Sequence, residues 1–277
     1  MKVVLFCGGQ GTRLREYTDN IRNIPKPLIP IGPQPILWHL MKYYAYYGHK
    51  DFILCLGYMG NWIKDYFLNY NEYISNDFTM TDGGRTIELR KRDIQDWRIT
   101  FVDTGLKSNI GQRLRMVRPY LQDEKIFLAN YSDGLTDLSL NTMIEKCQTS
   151  KKVGSFLCVP PSQSFHVVSL AEDGRVQTIK NVRDAGLLIN GGFFVFRQEI
   201  FDYMEEAEEL VIEPFQRLIE KDLLMGYRYN RFWCMDTFKE QQELTDLLNQ
   251  GVAPWEVWRE ELNGGRSCVG RRLGHGH

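Results

Sequence analysis

The chain has 277 residues, of which 43% are hydrophobic and 25% are charged. Its 34 Lys and Arg residues nearly balance 35 Asp and Glu residues, which gives a formal charge of −1. This balance argues against a protein that coats nucleic acid, which is normally strongly basic. No apolar run approaches the roughly 18 residues that cross a membrane, and no secretory signal pattern opens the chain. We therefore expect a soluble, cytoplasmic protein with neither nucleic acid nor a membrane as its partner.

A short apolar strand pattern at 3–7 leads directly into the glycine-rich run Gly8-Gly9-Gln10-Gly11-Thr12-Arg13. Three glycines within four residues let the backbone turn sharply and leave its N–H groups open to an anion. Arg13 and Lys26, the latter between two prolines, add positive charge at the same place. The order of residues differs from the dinucleotide fingerprint G-x-G-x-x-G and from the Walker A loop. The sequence therefore predicts a polyphosphate-binding loop of another type.

Short apolar runs alternate with helical patterns, which is typical of a parallel α/β sheet in one large domain. Strands are predicted at residues 3–7, 51–56, 98–103, 125–130, 153–159 and 192–197, with helices at 37–48, 61–70, 110–120 and 139–149. After residue 162 the pattern predicts an antiparallel hairpin of 165–170 and 175–181, then helices at 208–224 and 237–250. The glycine-rich tail, 259–277, has no periodicity, and we expect it to be disordered or left over from cloning.

The six cysteines are scattered along the chain, with no Cys-x-x-Cys pair and no histidine at ligand spacing. We expect reduced thiols at all of these positions. They are Cys7, Cys55, Cys147, Cys158, Cys234 and Cys268.

Two aspartates stand where a parallel sheet would bring them to the same crevice. Asp133 follows the strand predicted at 125–130, and Asp236 follows an aromatic, strand-like run. In open parallel sheets the ligand crevice lies at the carboxyl ends of the strands. Two carboxylates facing a polyphosphate repel it unless a hard divalent cation lies between them, and Mg²⁺ is the usual choice. Taken singly, Asp133 is also compatible with a turn residue and Asp236 with a helix N-cap.

The chain resembles the sugar nucleotidyltransferases, and within them is most similar to the glucose-1-phosphate cytidylyltransferases. The resemblance runs from residue 1 to about 258, nearly the whole chain. It rests on Gly8-Gly9-Gln10-Gly11-Thr12-Arg13-Leu14, Pro25-Lys26-Pro27, Pro35-Ile36-Leu37-Trp38-His39, Val102-Asp103-Thr104-Gly105, Gly111-Gln112-Arg113-Leu114, Ile189-Asn190-Gly191-Gly192, Met235-Asp236-Thr237 and Ala253-Pro254-Trp255.

The resemblance implies a Rossmann-like, mostly parallel mixed sheet flanked by helices, of the GT-A-like nucleotidyltransferase type, with a small antiparallel subdomain on the substrate side. It implies a single nucleotidyltransferase domain over 1–258, with a nucleotide-binding part over about 1–160 and an acceptor-binding part over about 161–258. Because the family is typically oligomeric, it also implies a homo-oligomer.

The resemblance further implies an Mg²⁺-dependent transfer of CMP from CTP to a small phosphorylated acceptor, with release of pyrophosphate. A phosphate oxygen of the acceptor attacks the α-phosphorus in line, so positioning and charge neutralisation do most of the work. The catalytic residues it implies are Arg13, Lys26 and Asp133, with Asp133 and Asp236 as metal ligands. The nucleotide-binding residues it implies, with the cytosine near Gly111 and Arg113, are Gly8, Gly9, Gly11, Thr12, Thr104, Gly111, Arg113 and Ser132.

The acceptor side departs from the family pattern. The family usually has Arg-Phe-Gly where this chain has Ser164-Phe165-His166, so that an imidazole stands where a hexose should lie. The family's Glu-Lys-Pro is also missing from the aligned run Lys180-Asn181-Val182-Arg183-Asp184. Lys180 or Arg183 could still supply the positive charge that binds the acceptor's phosphate. The carboxylate that hydrogen-bonds the sugar hydroxyls in the family is absent. The acceptor-binding residues that we assign are His166, Lys180, Arg183, Asn190 and Glu213.

Several alternatives stay open at this point. Glucose 1-phosphate is the closest family acceptor. The two changes above, together with Ser132-Asp133-Gly134 in place of the family's usual Gly-Asp-Gly, are also compatible with another sugar phosphate, an amino-acid phosphate or a phosphonate. UTP or dTTP could replace CTP as the donor. A nucleotide-binding regulatory homologue that has lost catalysis belongs to a different class of function. It would have no need to keep Arg13, Lys26, Asp133 and Asp236 together.

Overall fold

The architecture comes from a computed structural model, which describes residues 1–9, 24–90, 92–162 and 165–259. The strands in these ranges are β1 Lys2–Phe6, β2 Pro30–Ile31, β3 Gln34–Pro35, β4 Asp51–Leu56, β5 Phe78–Thr81, β6 Thr86–Leu89, β7 Arg98–Asp103, β8 Ile126–Tyr131, β9 Gly134–Thr136, β10 Gly154–Val159, β11 His166–Leu170, β12 Val176–Asn181, β13 Ile189–Asn190, β14 Phe194–Arg197, β15 Leu224–Arg228 and β16 Phe232–Cys234. The α-helices are α1 Ile36–Tyr46, α2 Gly60–Leu68, α3 Glu72–Ser75, α4 Ile110–Val117, α5 Leu140–Ser150, α6 Glu213–Glu220 and α7 Phe238–Asn249.

Within the described ranges, the central sheet has eight strands in the order β13–β10–β14–β8–β1–β4–β7, with β15 paired to β10. β1 lies between β4 and β8 in parallel register, so that Val3 pairs with both Phe52 and Leu128. β7 extends the parallel set beside β4, whereas β14 pairs antiparallel with β8 and β10. Because β1, β4, β7 and β8 run in the same direction, their carboxyl ends meet at one edge of the sheet. This edge is where open sheets of this kind bind ligands.

Alternate residues of β1 are buried in two separate cores, one on each face of the sheet. Val3 and Leu5 contact the core that α1, α5 and α7 cover, whereas Val4 and Phe6 contact the core that α4 and α6 cover. Burying one such side chain stabilises the fold by about 1.5–3 kcal/mol. Burial on both faces explains why this strand is continuously apolar rather than alternating.

The six sheet strands predicted from the sequence are confirmed to within two residues at each end. The hairpin predicted after residue 162 is also confirmed, because β11 and β12 pair antiparallel, with His166 opposite Asn181. The five described cysteines are free thiols, as expected. No helix in the described part of the chain is both long enough and apolar enough to cross a membrane.

The helix predicted at 208–224 is wrong in extent. α6 begins at Glu213, and Leu224 already belongs to β15. Ile212, just before α6, has a φ of −107° and a ψ of −90°, which are not helical, and Asp222, just after α6, has a left-handed φ of 55°. Pro214 lies in the first turn of α6, where its missing N–H removes no helical hydrogen bond. The backbone before Glu213 is therefore a turn that passes beside α4.

Candidate active site

A cavity of about 250 Å³ opens at the sheet edge where the parallel strands end. It lies between the turn after β1, the turn after β8 and the beginning of α4. Its lining residues are Phe6, Gly8, Gly9, Lys26, Pro27, Ser108, Asn109, Ile110, Arg113, Tyr131, Ser132, Asp133 and Glu209.

The glycine loop leaves β1 at this cavity and is tied to β4. The amide of Tyr58 donates to the carbonyl oxygen of Gly8 at 3.3 Å. A Cβ added at Gly9 would meet no atom of the described residues within 4 Å, so this part of the chain leaves the backbone there open to a ligand. Gly11, Thr12 and Arg13, which were predicted to continue the loop, lie outside the described residues.

The side chain of Arg113 stabilises the turn after β1 by hydrogen bonds. The residue is 3% exposed. Its guanidinium donates to the carbonyl oxygen of Leu56 at 3.0 Å, to Thr104 Oγ1 at 2.6 Å and to the carbonyl oxygen of Gly8 at 3.2 Å. Burial lowers the pKa of Arg113, although it stays a cation. The direct contact with cytosine that was assigned to Arg113 stays a prediction. Its observed hydrogen bonds are those of a residue that positions the loop.

Asp133 and Asp236 are brought together by pairing between β9 and β16. Cys234 pairs with Gly134, and the amide of Met235 donates to the carbonyl oxygen of Asp133 at 2.9 Å. The N-cap of α7 is Thr237, whose side chain forms a capping box with Glu240. Asp236 is therefore not the helix cap that the sequence left open as an alternative. Its carboxylate instead contacts Lys26.

Lys26 lies between these two carboxylates. Its Nζ is 2.6 Å from Asp133 Oδ2 and 2.5 Å from Asp236 Oδ1. Burial by itself disfavours the ammonium, but the two carboxylates outweigh this effect and raise the pKa of Lys26. Lys26 is consequently a permanent cation beside the open backbone of the glycine loop.

The donor set of this cluster fits a hard divalent cation. Mg²⁺ is usually bound by one or two carboxylates together with substrate phosphates, and two carboxylates converge here on one point. Within the described ranges, no group of three or more His, Cys, Asp or Glu side chains is placed to hold a metal ion by itself. A cation held here would therefore complete its coordination with water or with oxygens of the substrate.

Three further residues predicted to bind the nucleotide are mainly engaged with the protein. Thr104 Oγ1 donates to the carbonyl oxygen of Leu56 at 2.7 Å, and Ser132 Oγ donates to that of Phe6 at 3.0 Å. A Cβ added at Gly111 would lie 2.3 Å from the carbonyl oxygen of Glu208. The nucleotide contacts of Thr104, Ser132 and Gly111 stay predictions. The contacts observed in the structure hold the cavity wall in place.

The five residues assigned to the acceptor are not brought together in the cavity. His166 and Lys180 lie on the exposed hairpin β11–β12, and Arg183 follows it and donates to the carbonyl oxygen of Ser162. Asn190 reaches the cavity wall indirectly, because its Nδ2 donates to the hydroxyl of Tyr131 at 3.2 Å. The last of the five, Glu213, accepts a hydrogen bond from the amide of Glu209 at 3.2 Å.

A family model described as nucleotidyl transferase matches residues 2–237. The chain belongs to this family. A protein named "Probable glucose-1-phosphate cytidylyltransferase" from Bacillus subtilis is 38% identical over 261 residues, which cover 93% of this chain and 100% of the relative. The glucose-1-phosphate cytidylyltransferase of Salmonella typhi is 37% identical with the same coverage of both chains.

Solved structures of the family share the fold. HddC from Yersinia pseudotuberculosis superimposes with a TM-score of 0.63 at 18% identity, over 89% of this chain and 99% of that one. Identity at this level shows the fold alone. The predicted family, the mostly parallel mixed sheet and the enzyme class, a nucleotidyltransferase, are confirmed.

Two ionisable side chains that line this cavity were not predicted from the sequence. Tyr131 lines the cavity from the last position of β8, where its proximity to Asp133 could have indicated it. Glu209 lines the cavity from the turn before α6, and no motif marks it. Burial raises the pKa of Glu209, although backbone hydrogen bonds from Ile110 and Leu210 oppose the rise.

Proposed function

We propose that this enzyme transfers a cytidylyl group from CTP to a sugar 1-phosphate and releases pyrophosphate, with Mg²⁺ as the metal ion. The observation that carries the proposal is the cluster of Lys26, Asp133 and Asp236 beside Gly8 and Gly9. An ammonium, two carboxylates and open backbone amides form an environment suited to a polyphosphate and a hard cation. The choice of CTP is supported by the names of the two relatives that match over their full length.

The site needs little acid–base chemistry for this reaction. A phosphate monoester is already an anionic nucleophile, so its oxygen can attack the α-phosphorus of CTP as pyrophosphate leaves. The amides of the glycine loop, continued by Gly11, Thr12 and Arg13, would hold the triphosphate. Lys26 would neutralise charge at the α-phosphate. Asp133 and Asp236 would hold Mg²⁺, which supplies further neutralisation of phosphate charge.

A non-glucose acceptor is the second candidate, and the altered acceptor side favours it. His166 stands where the family has a glycine, and the run Lys180-Asn181-Val182-Arg183-Asp184 lacks the family's sugar-binding carboxylate. We propose that residues 161–258 supply the acceptor side. A second anionic group on the acceptor, as in an amino-acid phosphate or a phosphonate, would suit the cationic side chains of Lys180 and Arg183.

Pyrophosphate release tests the proposal. The full chain is incubated with Mg²⁺, each of CTP, UTP and dTTP, and a panel of sugar phosphates, amino-acid phosphates and phosphonates. We expect CTP to be the preferred donor. Turnover of glucose 1-phosphate well above all other acceptors would reject the altered acceptor. Absence of release with every pair would reject catalysis and favour a nucleotide-binding regulatory homologue.

We also propose that the chain forms a homo-oligomer. Tyr73, Ile74 and Phe78 are large apolar residues exposed around the hairpin β5–β6, and Tyr73 contacts Phe78 edge to face. Side chains of this kind are enriched at contacts between subunits. Sedimentation of the full chain at micromolar concentration should give a mass above that of one chain. A purely monomeric sample would contradict this proposal without affecting the proposed reaction.

A further inference from the structure

The ammonium of Lys26 lies at the point on which the two carboxylates of the site converge. Its distances to Asp133 Oδ2 and Asp236 Oδ1 are 2.6 and 2.5 Å, so it is bound by both acids at once. A divalent cation held by the same oxygens would require that point for itself. We infer that Lys26 is an internal competitor of the metal ion, and that it is released toward substrate phosphate only when the cation binds. This inference rests on the proposed function, since it concerns the same two ligands.

The two carboxylates belong to a frame with little freedom to separate. Asp133 lies between β8 and β9, and its carbonyl oxygen accepts from Met235 N. The amide of Asp236 donates to Glu240 Oε2 at 2.8 Å, which ties it to the first turn of α7. Pairing of β9 with β16 holds both segments together. A cation arriving here therefore finds two oxygens already converged and has no need to assemble them.

Lys26 has a rigid backbone and a long side chain. It begins a short 3-10 helix after Pro25, and the amide of Leu28 donates to the carbonyl oxygen of Pro25 at 2.8 Å. Pro27 follows it and is buried. The four-carbon stem carries a compact ammonium with rotatable donors. The side chain is therefore the movable part of the cluster, and its point of attachment stays at the cavity.

Electrostatic repulsion determines where the ammonium of Lys26 goes once a divalent cation binds the carboxylates. An ammonium and a divalent cation repel each other strongly at contact distance inside a partly buried site. If the cation takes the carboxylates, Lys26 loses its partners there and gains most by turning to another anion in the same cavity. Phosphate at Gly8 and Gly9 is that anion in the proposed reaction. By thermodynamic reciprocity, phosphate that draws Lys26 away should also strengthen cation binding.

Direct metal binding without nucleotide tests the inference. Mn²⁺ is titrated into the full chain and the free ion is measured by electron paramagnetic resonance. We expect Lys26→Met to bind Mn²⁺ about tenfold more tightly than the wild type, since two partly exposed ion pairs no longer have to be broken. Lys42→Met is the matched control, because Lys42 pairs with Asp93 at 3.4 Å outside this cavity. It should leave Mn²⁺ affinity unchanged.

The outcomes separate the inference from the proposed function. If Asp133→Asn and Asp236→Asn weaken Mn²⁺ binding but Lys26→Met does not strengthen it, Lys26 does not compete with the metal ion. The proposed metal site at Asp133 and Asp236 would still be supported. If neither aspartate variant changes Mn²⁺ affinity, the metal site and the competition are both wrong.

The wild-type chain gives a second test that does not depend on a variant folding. Mg²⁺ alone should increase acylation of Lys26 by an amine-reactive ester severalfold, measured by mass spectrometry, with Lys42 unchanged. Equal or lower labelling of Lys26 would overturn the inference.

Discussion

Arg113 donates a hydrogen bond to the carbonyl oxygen of Gly8 at 3.2 Å and lies directly beneath the glycine loop. A Cβ at Gly8 would approach Arg113 Nη1 to 2.1 Å. A side chain at this position would therefore displace the guanidinium of Arg113 from its hydrogen bonds. The hydrogen bond between Arg113 and Gly8 connects α4 to the turn after β1 and so fixes the position of the glycine loop relative to the sheet.

Replacing Arg113 should destabilise the fold. Arg113→Ala removes three hydrogen bonds from a side chain that is 3% exposed, and we expect a loss of about 2–4 kcal/mol in the free energy of unfolding. The change in the free energy of unfolding is measured by urea denaturation. Arg175→Ala, which replaces an exposed side chain, is the control. An unchanged unfolding midpoint with a raised KM for CTP would instead support direct reading of the base.

Replacing Asp133 should remove activity and keep the fold. Asp133→Asn retains the shape of the side chain but removes the charge that faces Lys26, and we expect kcat to fall by roughly 10²–10³-fold. Steady-state pyrophosphate release and circular dichroism measure the two effects. Asp173→Asn, in the turn of the exposed hairpin, should behave as wild type. Full activity of Asp133→Asn would refute the metal-ligand role.

Alanine should destabilise the fold at Gly111 but leave its stability unchanged at Gly9. At Gly111 the new Cβ would lie 2.3 Å from the carbonyl oxygen of Glu208, and we expect a loss of about 1–3 kcal/mol in stability. At Gly9 it would meet no atom within 4 Å among the residues that the structure describes, so we expect Gly9→Ala to unfold at the wild-type midpoint. If the Gly9 backbone contacts phosphate, the same variant should raise the KM for CTP. Unchanged kinetics of Gly9→Ala would argue against that contact.

His39 should make the fold sensitive to acid. It is 2% exposed, and burial lowers its pKa to about 4 from 6.5, against the opposing effect of the hydrogen bond to the carbonyl oxygen of Ile31. Because the folded-state pKa is depressed, the unfolded chain binds the proton first as pH falls. Stability should therefore be lost between about pH 6.5 and 4, by on the order of 3 kcal/mol from this residue.

The slope of stability against pH measures this effect. Urea unfolding between pH 7 and pH 4.5 should show a shallower loss for His39→Gln than for wild type, whatever the starting stability of the variant. His166→Gln changes an exposed histidine and should follow the wild-type slope. Parallel slopes for His39→Gln and wild type would contradict the prediction.

The parallel part of the sheet was predictable from the sequence. Strands such as β4 and β7 are short apolar runs between helical patterns, and this periodicity depends on neighbours within a few residues. The same local logic was insufficient at 208–224, where Ile212 has a non-helical φ and ψ just before α6 and Asp222 has a left-handed φ just after it. Backbone conformation there depends on packing beside α4, which local periodicity does not record.

By itself the sequence determined the fold class, the family and the three charged residues that meet in the described site, Lys26, Asp133 and Asp236. Only the tertiary structure decided how they meet, because Lys26 and Asp236 are separated by 210 positions, and the register of β9 with β16 brings Asp236 beside Asp133. The structure also decided that Arg113 points beneath the loop and that Glu209 faces the cavity. The orientation of a side chain on α4 or in a turn depends on how that element packs against the sheet, and such long-range packing leaves no periodic signal in the sequence.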